Sequence, residues 1–190
     1  MEVNEVLNLN ESAESIVDSG EIDSIVSEIY KEFPVLSNKN FKVKKVPDKH
    51  PQGHHIEFFS SDEERSPYKG QPYIEVYENA SADRNVLKKM IFGDMLHQLS
   101  IDDPHWKNLK NQFFKVRSSE AKNRDFRMDM DAYKGSGDTR KFEDWWDISR
   151  SDAYIRGALT GDREWMMGIE EGQGTILNNM TDYLLSGTKK

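Results

Sequence analysis

Residues 90–99 read MIFGDMLHQL, a helix-length stretch apolar on nearly every side that nevertheless carries Asp94 and His97. Spread at about 100° per residue, Leu87, Ile91, Phe92, Met95, Leu96 and Leu99 cover most of a helical cylinder, and Val86, Met90 and Gly93 extend it. A helix apolar all round is a buried helix, and ionisable groups on it need partners inside the protein. The spacing therefore predicts a central helix over 84–99 that holds the best site candidates of the chain.

The next informative stretch lies downstream. Over 142–159, Trp145, Ile148, Asp152, Ile155 and Leu159 fall on one helical stripe, and Asp152 stands where an apolar residue is expected. Arg156 follows one turn later. Two such helices packed face to face bring Asp94, His97, Asp152 and Arg156 into one internal polar cluster. Gly93, one turn before His97, lets another group approach closely.

Upstream, residues 12–33 carry a helical stripe (Ile16, Ile22, Ile25, Ile29, Phe33) interrupted near Ser19-Gly20 and ended by Pro34. Alternating runs at 41–46, 54–59 and 72–77 read as three strands, expected to form a small antiparallel meander. Helices are expected at 84–99, 104–116, 119–133, 142–159 and 174–185, with Ser81 or Asp83 as the cap of the first and Asp102-Asp103 capping ahead of Pro104. The fold class is α+β: an N-terminal helix, three strands, then about five helices segregated from the sheet. Residues 1–37 form an acidic helical segment, and 38–187 form the α+β domain.

Strands leading into a buried helix with an acid three residues before a histidine resemble the zincin metallopeptidase layout, whose helix carries H-E-x-x-H. That resemblance implies a zincin-like fold, with His97 at the second histidine, Asp94 at the general-base glutamate and Asp152 as a downstream acidic ligand. Gly93 stands where the first metal-binding histidine would be. The implied centre is then degenerate: no cofactor, or zinc held weakly by His97 and Asp152. The strings Phe92-Gly-Asp-Met-Leu-His97, Asp103-Pro-His-Trp106 and Ser151-Asp-Ala-Tyr-Ile-Arg-Gly157 also resemble a poorly characterised family carried by bacteriophages and mobile elements, over roughly residues 70–187. This second resemblance implies a phage or prophage origin, a phage or host protein as partner, and host cytoplasm or the virion as location.

Composition narrows the classes. The chain has no cysteine, which excludes disulfides and thiolate metal sites, and its 11% aromatic content with four Trp is that of a packed protein. No apolar run approaches the roughly 18 residues that span a bilayer, and the N-terminus lacks the basic-then-apolar pattern of a signal peptide. The net charge of −8 sits on residues 1–35, which hold nine acids and one base; the remainder is balanced. An acidic arm and the absence of a basic, aromatic stripe disfavour nucleic-acid binding. The arm reads as the solvated face of a helix, or as a surface for a basic partner.

Other motifs have structural readings. His54 and His55 are strand neighbours facing opposite ways. Residues 124–131, RDFRMDMD, lack the glycine and closing glutamate of a calcium loop. The Trp145-Trp146 and Trp165-Met166-Met167 groups are core or a protein-binding patch. Gly135-Ser-Gly137 and Gly172-Gln-Gly174 lack a phosphate-loop setting, and Ser149 and Ser151 lack a nucleophile elbow. For Asp94, His97 and Asp152 three readings stand open: a satisfied internal network, a degenerate metal site, or a hydrolytic centre. The functions that follow are a phage-type accessory protein acting by protein binding as a pseudoenzyme, an atypical hydrolase using the Asp/His/Asp centre, or a purely structural phage protein.

Overall fold

The structure is a computed structural model describing residues 19–50, 55–61, 68–78, 80, 83–118, 127, 129–130, 133–135, 141–142, 146, 151–161 and 169–186. In chain order its elements are α1 (Ser19–Glu32), α2 (Pro34–Ser37), β1 (Lys42–Val46), β2 (Ile56–Phe59), β3 (Tyr73–Tyr77), α3 (Arg84–Asp102), α4 (Pro104–Lys115), α5 (Ser151–Leu159) and α6 (Glu171–Ser186). The α+β class is as expected. The expected helix over 119–133 and most of 142–150 lie outside the described residues, as do His54, Trp145, Ser149 and Trp165 to Met167.

The sheet is not an antiparallel meander. Its order is β1-β3-β2, with β1 parallel to β3 and β2 antiparallel to it. Composition explains the order better than alternation does. β3 (YIEVY) is the strand with apolar or aromatic side chains buried on both faces, so it takes the centre. β1 (KVKKV) carries three lysines, which suit an edge strand because charge discourages further pairing. Long connections, 47–55 and 60–72, replace the tight turns a meander requires. Asn40, at φ 51°, makes the turn into β1 in a conformation that asparagine tolerates.

Ile74 and Val76 of β3 point to the helices and join Ile22, Ile25 and Ile29 of α1 and Leu87, Ile91, Met95 and Leu96 of α3 in one core. α1 is therefore built into the same core as the sheet. Its acidic outer face meets a basic row on α3: Arg84 donates to both oxygens of Glu28, and Lys88 donates to Glu32 at 2.8 Å. These pairs are exposed, so they orient the helix more than they stabilise it.

α3 is the hub, packed against α1, α4, α5 and β2. Asp83 caps it, accepting from the backbone of Asn85 and Val86. The helix runs past the expected end at Leu99 to Asp102, whose carboxylate accepts from Gln98 at 2.9 Å and from Lys39 at 2.6 Å. Asp103 then caps α4 by accepting from His105 and Trp106, both at 3.0 Å, and takes the Tyr183 hydroxyl of α6 at 2.6 Å. This elbow fixes where α4 crosses α3. Beyond it, Trp146 is buried beside Phe142 and donates to Asp129 at 2.9 Å, so the described parts of the acidic run and of the tryptophan pair are structural. Among the described residues no helix is long and apolar enough to cross a membrane.

Candidate functional site

Asp152, on the inward stripe of α5, is 4% exposed and is met from two helices. His97 Nδ1 lies 2.7 Å from Oδ2. Ser100 Oγ donates to Oδ1 at 2.7 Å, and Lys110 Nζ donates to the same oxygen at 2.8 Å. Ser100 is itself held, accepting from Trp106 Nε1 at 3.2 Å. Burial raises the Asp152 pKa, but the His97 hydrogen bond and the Lys110 charge outweigh it and hold the carboxyl below its usual value. An ionised Asp152 only accepts, so Nδ1 of His97 is the donor, and in the neutral imidazole the lone pair is then on Nε2.

The imidazole opens into a pocket of about 240 Å³ walled by Phe58, Gly93, Asp94, His97, Asp152, Ala153 and Arg156. Phe58, on the helix-facing side of β2, sets its ring edge-on to His97 with centroids 5.5 Å apart. Asp94, one turn before His97 on α3, has one carboxylate oxygen, Oδ2, buried with no hydrogen-bond partner among the described residues. Burial pushes the Asp94 carboxyl up to about 7, against the pull of His97 and Arg156. Near neutral pH it is an acid poised to give or take a proton.

The residues singled out in the sequence (Gly93, Asp94, His97, Asp152 and Arg156) thus line one pocket. Their roles differ from those of metal ligands. Both Asp152 oxygens are occupied by donors, one of them His97 itself, so Asp152 serves as the partner that orients the imidazole. Gly93, at the place of the missing histidine, lies under Arg156: a Cβ there would stand 2.9 Å from Arg156 Cδ and 3.0 Å from Nη1. A guanidinium cation against that backbone is the wrong charge for a zinc ligand's position. The residues present do not fit the zinc that the zincin likeness implies. Among the described residues no cluster of three or more His, Cys, Asp or Glu is placed to hold a metal ion.

Phe58, Ser100, Trp106 and Lys110 were not evident as site residues from sequence. Ser100 stands three residues after His97, and Lys110 four after the core residue Trp106, both spacings of one helix face. A lysine on the buried stripe of an amphipathic helix is the mark of a buried counter-charge, and that signal was available. His55 is exposed, and His105 packs edge-on against Tyr183, away from the pocket residues. No protein-family model, curated protein or solved structure matches the chain.

Proposed function

We propose that the chain is an atypical, metal-independent hydrolase whose proton acceptor is His97. The observation that carries this reading is the 2.7 Å His97–Asp152 contact, with Asp152 braced by Ser100 and Lys110 and the far side of the imidazole on a pocket. A buried carboxylate that fixes tautomer and ring orientation is how an imidazole is made into a general base for water. Asp94, titrating near neutrality, is the complementary acid. His97 takes the proton of the attacking water, and Asp94 gives one to the leaving group.

The test is turnover of chromogenic carboxylic and phosphoric esters in the presence of a chelator. Wild type is expected to hydrolyse one of these classes, and His97→Ala to lose about 10²–10⁴-fold. Circular dichroism of the variant confirms folding. A wild-type rate no higher than that of His97→Ala ends the hydrolase reading.

A second reading follows from the size of the pocket, which at about 240 Å³ admits one side chain or a comparably small group. It opens beside β2, an edge strand of the sheet. On this reading the chain is a zincin-like pseudoenzyme of phage origin, acting in the virion or host cytoplasm by gripping a side chain of a phage or host protein. Binding without turnover, abolished by His97→Ala, distinguishes it.

A further inference from the structure

Glycine in the middle of a helix costs about 1 kcal/mol relative to alanine, so a mid-helix glycine in a packed core calls for a local reason. At Gly93 the reason is visible. Arg156 Cδ, Nη1 and Nε lie 2.9, 3.0 and 3.6 Å from the point a Cβ would occupy, so the guanidinium rests on bare α3 backbone. The same residue lines the pocket together with His97 and with Asp94, whose Oδ2 is buried without a hydrogen-bond partner among the described residues.

Among the residues that line this space the charged groups are Arg156 and the ionised carboxylate of Asp152, which Lys110 pairs, with Asp94 carrying its proton part of the time. Lys110 pairs with Asp152 from α4, and of the two cations it is Arg156 that lines the cavity. A guanidinium carries five N–H donors in a planar fork matched to the oxygens of a carboxylate or phosphate. Arg156 also holds other interactions in the fold. Protonated Asp94 supplies one more donor. Phe58 and Ala153 also line the pocket, and about 240 Å³ holds an oxyanion with its nearest atoms.

We propose that Arg156, seated on Gly93, makes the His97 pocket a receptor for an oxyanion, so that the ligand sets a carboxylate or phosphate group against the guanidinium and accepts from His97 Nε2 when the ring is protonated. This rests on the reading of the pocket as a ligand site given above, and it adds the chemical class of the ligand. Arg156 is the specificity-determining residue, and Gly93 the position that admits it.

The experiment titrates the full chain with inorganic phosphate and, separately, acetate, following the His97 ring nitrogens by NMR and binding by calorimetry. One of the two anions is expected to shift the Nε2 resonance saturably, and which one does so identifies the class of oxyanion. Arg156→Gln is expected to weaken binding roughly tenfold or more, as loss of a charged hydrogen-bond donor does. Gly93→Ala is expected to do the same while the Nδ1 proton shared with Asp152 remains in the spectrum. Lys107→Gln, on the exposed face of α4, controls for bulk charge and leaves binding unchanged. If neither anion moves the His97 resonance into the tens of millimolar, or if Arg156→Gln binds as wild type does, the proposal is overturned. Arg156→Gln decides the matter even where Gly93→Ala fails to fold. Oxyanion binding without ester turnover supports this proposal and removes the hydrolase reading. Ester turnover unaffected by Arg156→Gln does the reverse.

Discussion

Asp94 and Asp152 are two carboxyls on one pocket whose environments drive them in opposite directions. Asp152 is buried but paired with His97, Ser100 and Lys110 and stays ionised; Asp94 is half-buried, with its Oδ2 buried and unpaired among the described residues, and rises to about 7. The consequence for stability has a definite sign. Between its ordinary value of 3.8 and about 7, folded Asp94 keeps a proton that the unfolded chain releases. Its contribution is thus full at low pH and is lost as pH rises through that window. Relative to Asp94→Asn, wild type is expected to lose roughly 2–4 kcal/mol between about pH 4 and about pH 8, read by urea denaturation. Asp152 works the other way, stabilising above its unfolded value and failing as pH falls, but both proteins share that loss and it cancels. Ser100→Ala strands Trp106 Nε1 and removes a donor from Asp152, and is expected to cost about 1–3 kcal/mol in the same assay. The residues of the centre were legible in the sequence because each is a misfit: an acid and an imidazole on an apolar helix, and an acid on an apolar stripe. Asp152 as the histidine's brace was not legible, because helical stripes give directions and not which atom meets which.

At the scale of elements, the same kind of pattern read the strands correctly and their neighbours wrongly. Alternation located 41–46, 54–59 and 72–77 to within two residues of β1, β2 and β3. It carries no information on which strand lies beside which, because every strand of a one-sided sheet alternates alike. The extra burial of Tyr73 and Tyr77 on the second face of β3 was the clue to its central place. A central strand should be the least tolerant of truncation. Ile74→Ala is expected to cost about 2–5 kcal/mol, and Val43→Ala on edge strand β1 clearly less, both by denaturant midpoint. The helical boundaries were read to within a few residues where capping chemistry is explicit, as at Asp83 and Asp103. α3 overran its expected end because Asp102 finds partners in Gln98 and Lys39, one of them 63 residues away.

The molecule as a whole is organised around α3, which touches the N-terminal helix, the sheet and two later helices. Of the acidic helical segment expected over 1–37, residues 1–18 lie outside the described residues, and Ile22, Ile25 and Ile29 of α1 are at most 1% exposed within the core shared with the sheet. Fully burying an isoleucine contributes about 1.5–3 kcal/mol, so three of them rival the net stability of an ordinary domain, about 5–15 kcal/mol. A chain beginning at residue 38 is therefore expected to lose cooperative thermal unfolding. Cooperative melting of that truncated chain, with the His97 resonances in place, would show that α1 is dispensable.

The Asp103 elbow has a further consequence. One carboxylate ties the start of α4 to the body of α6, while its own backbone N–H donates to Leu99 at the end of α3. Trp106 and Lys110 lie within two turns of that knot. Three rods locked at a single joint hold Lys110, and through it one oxygen of Asp152, at a set distance from the end of α3. An oxyanion of the kind proposed would then meet an imidazole whose seat is already cast.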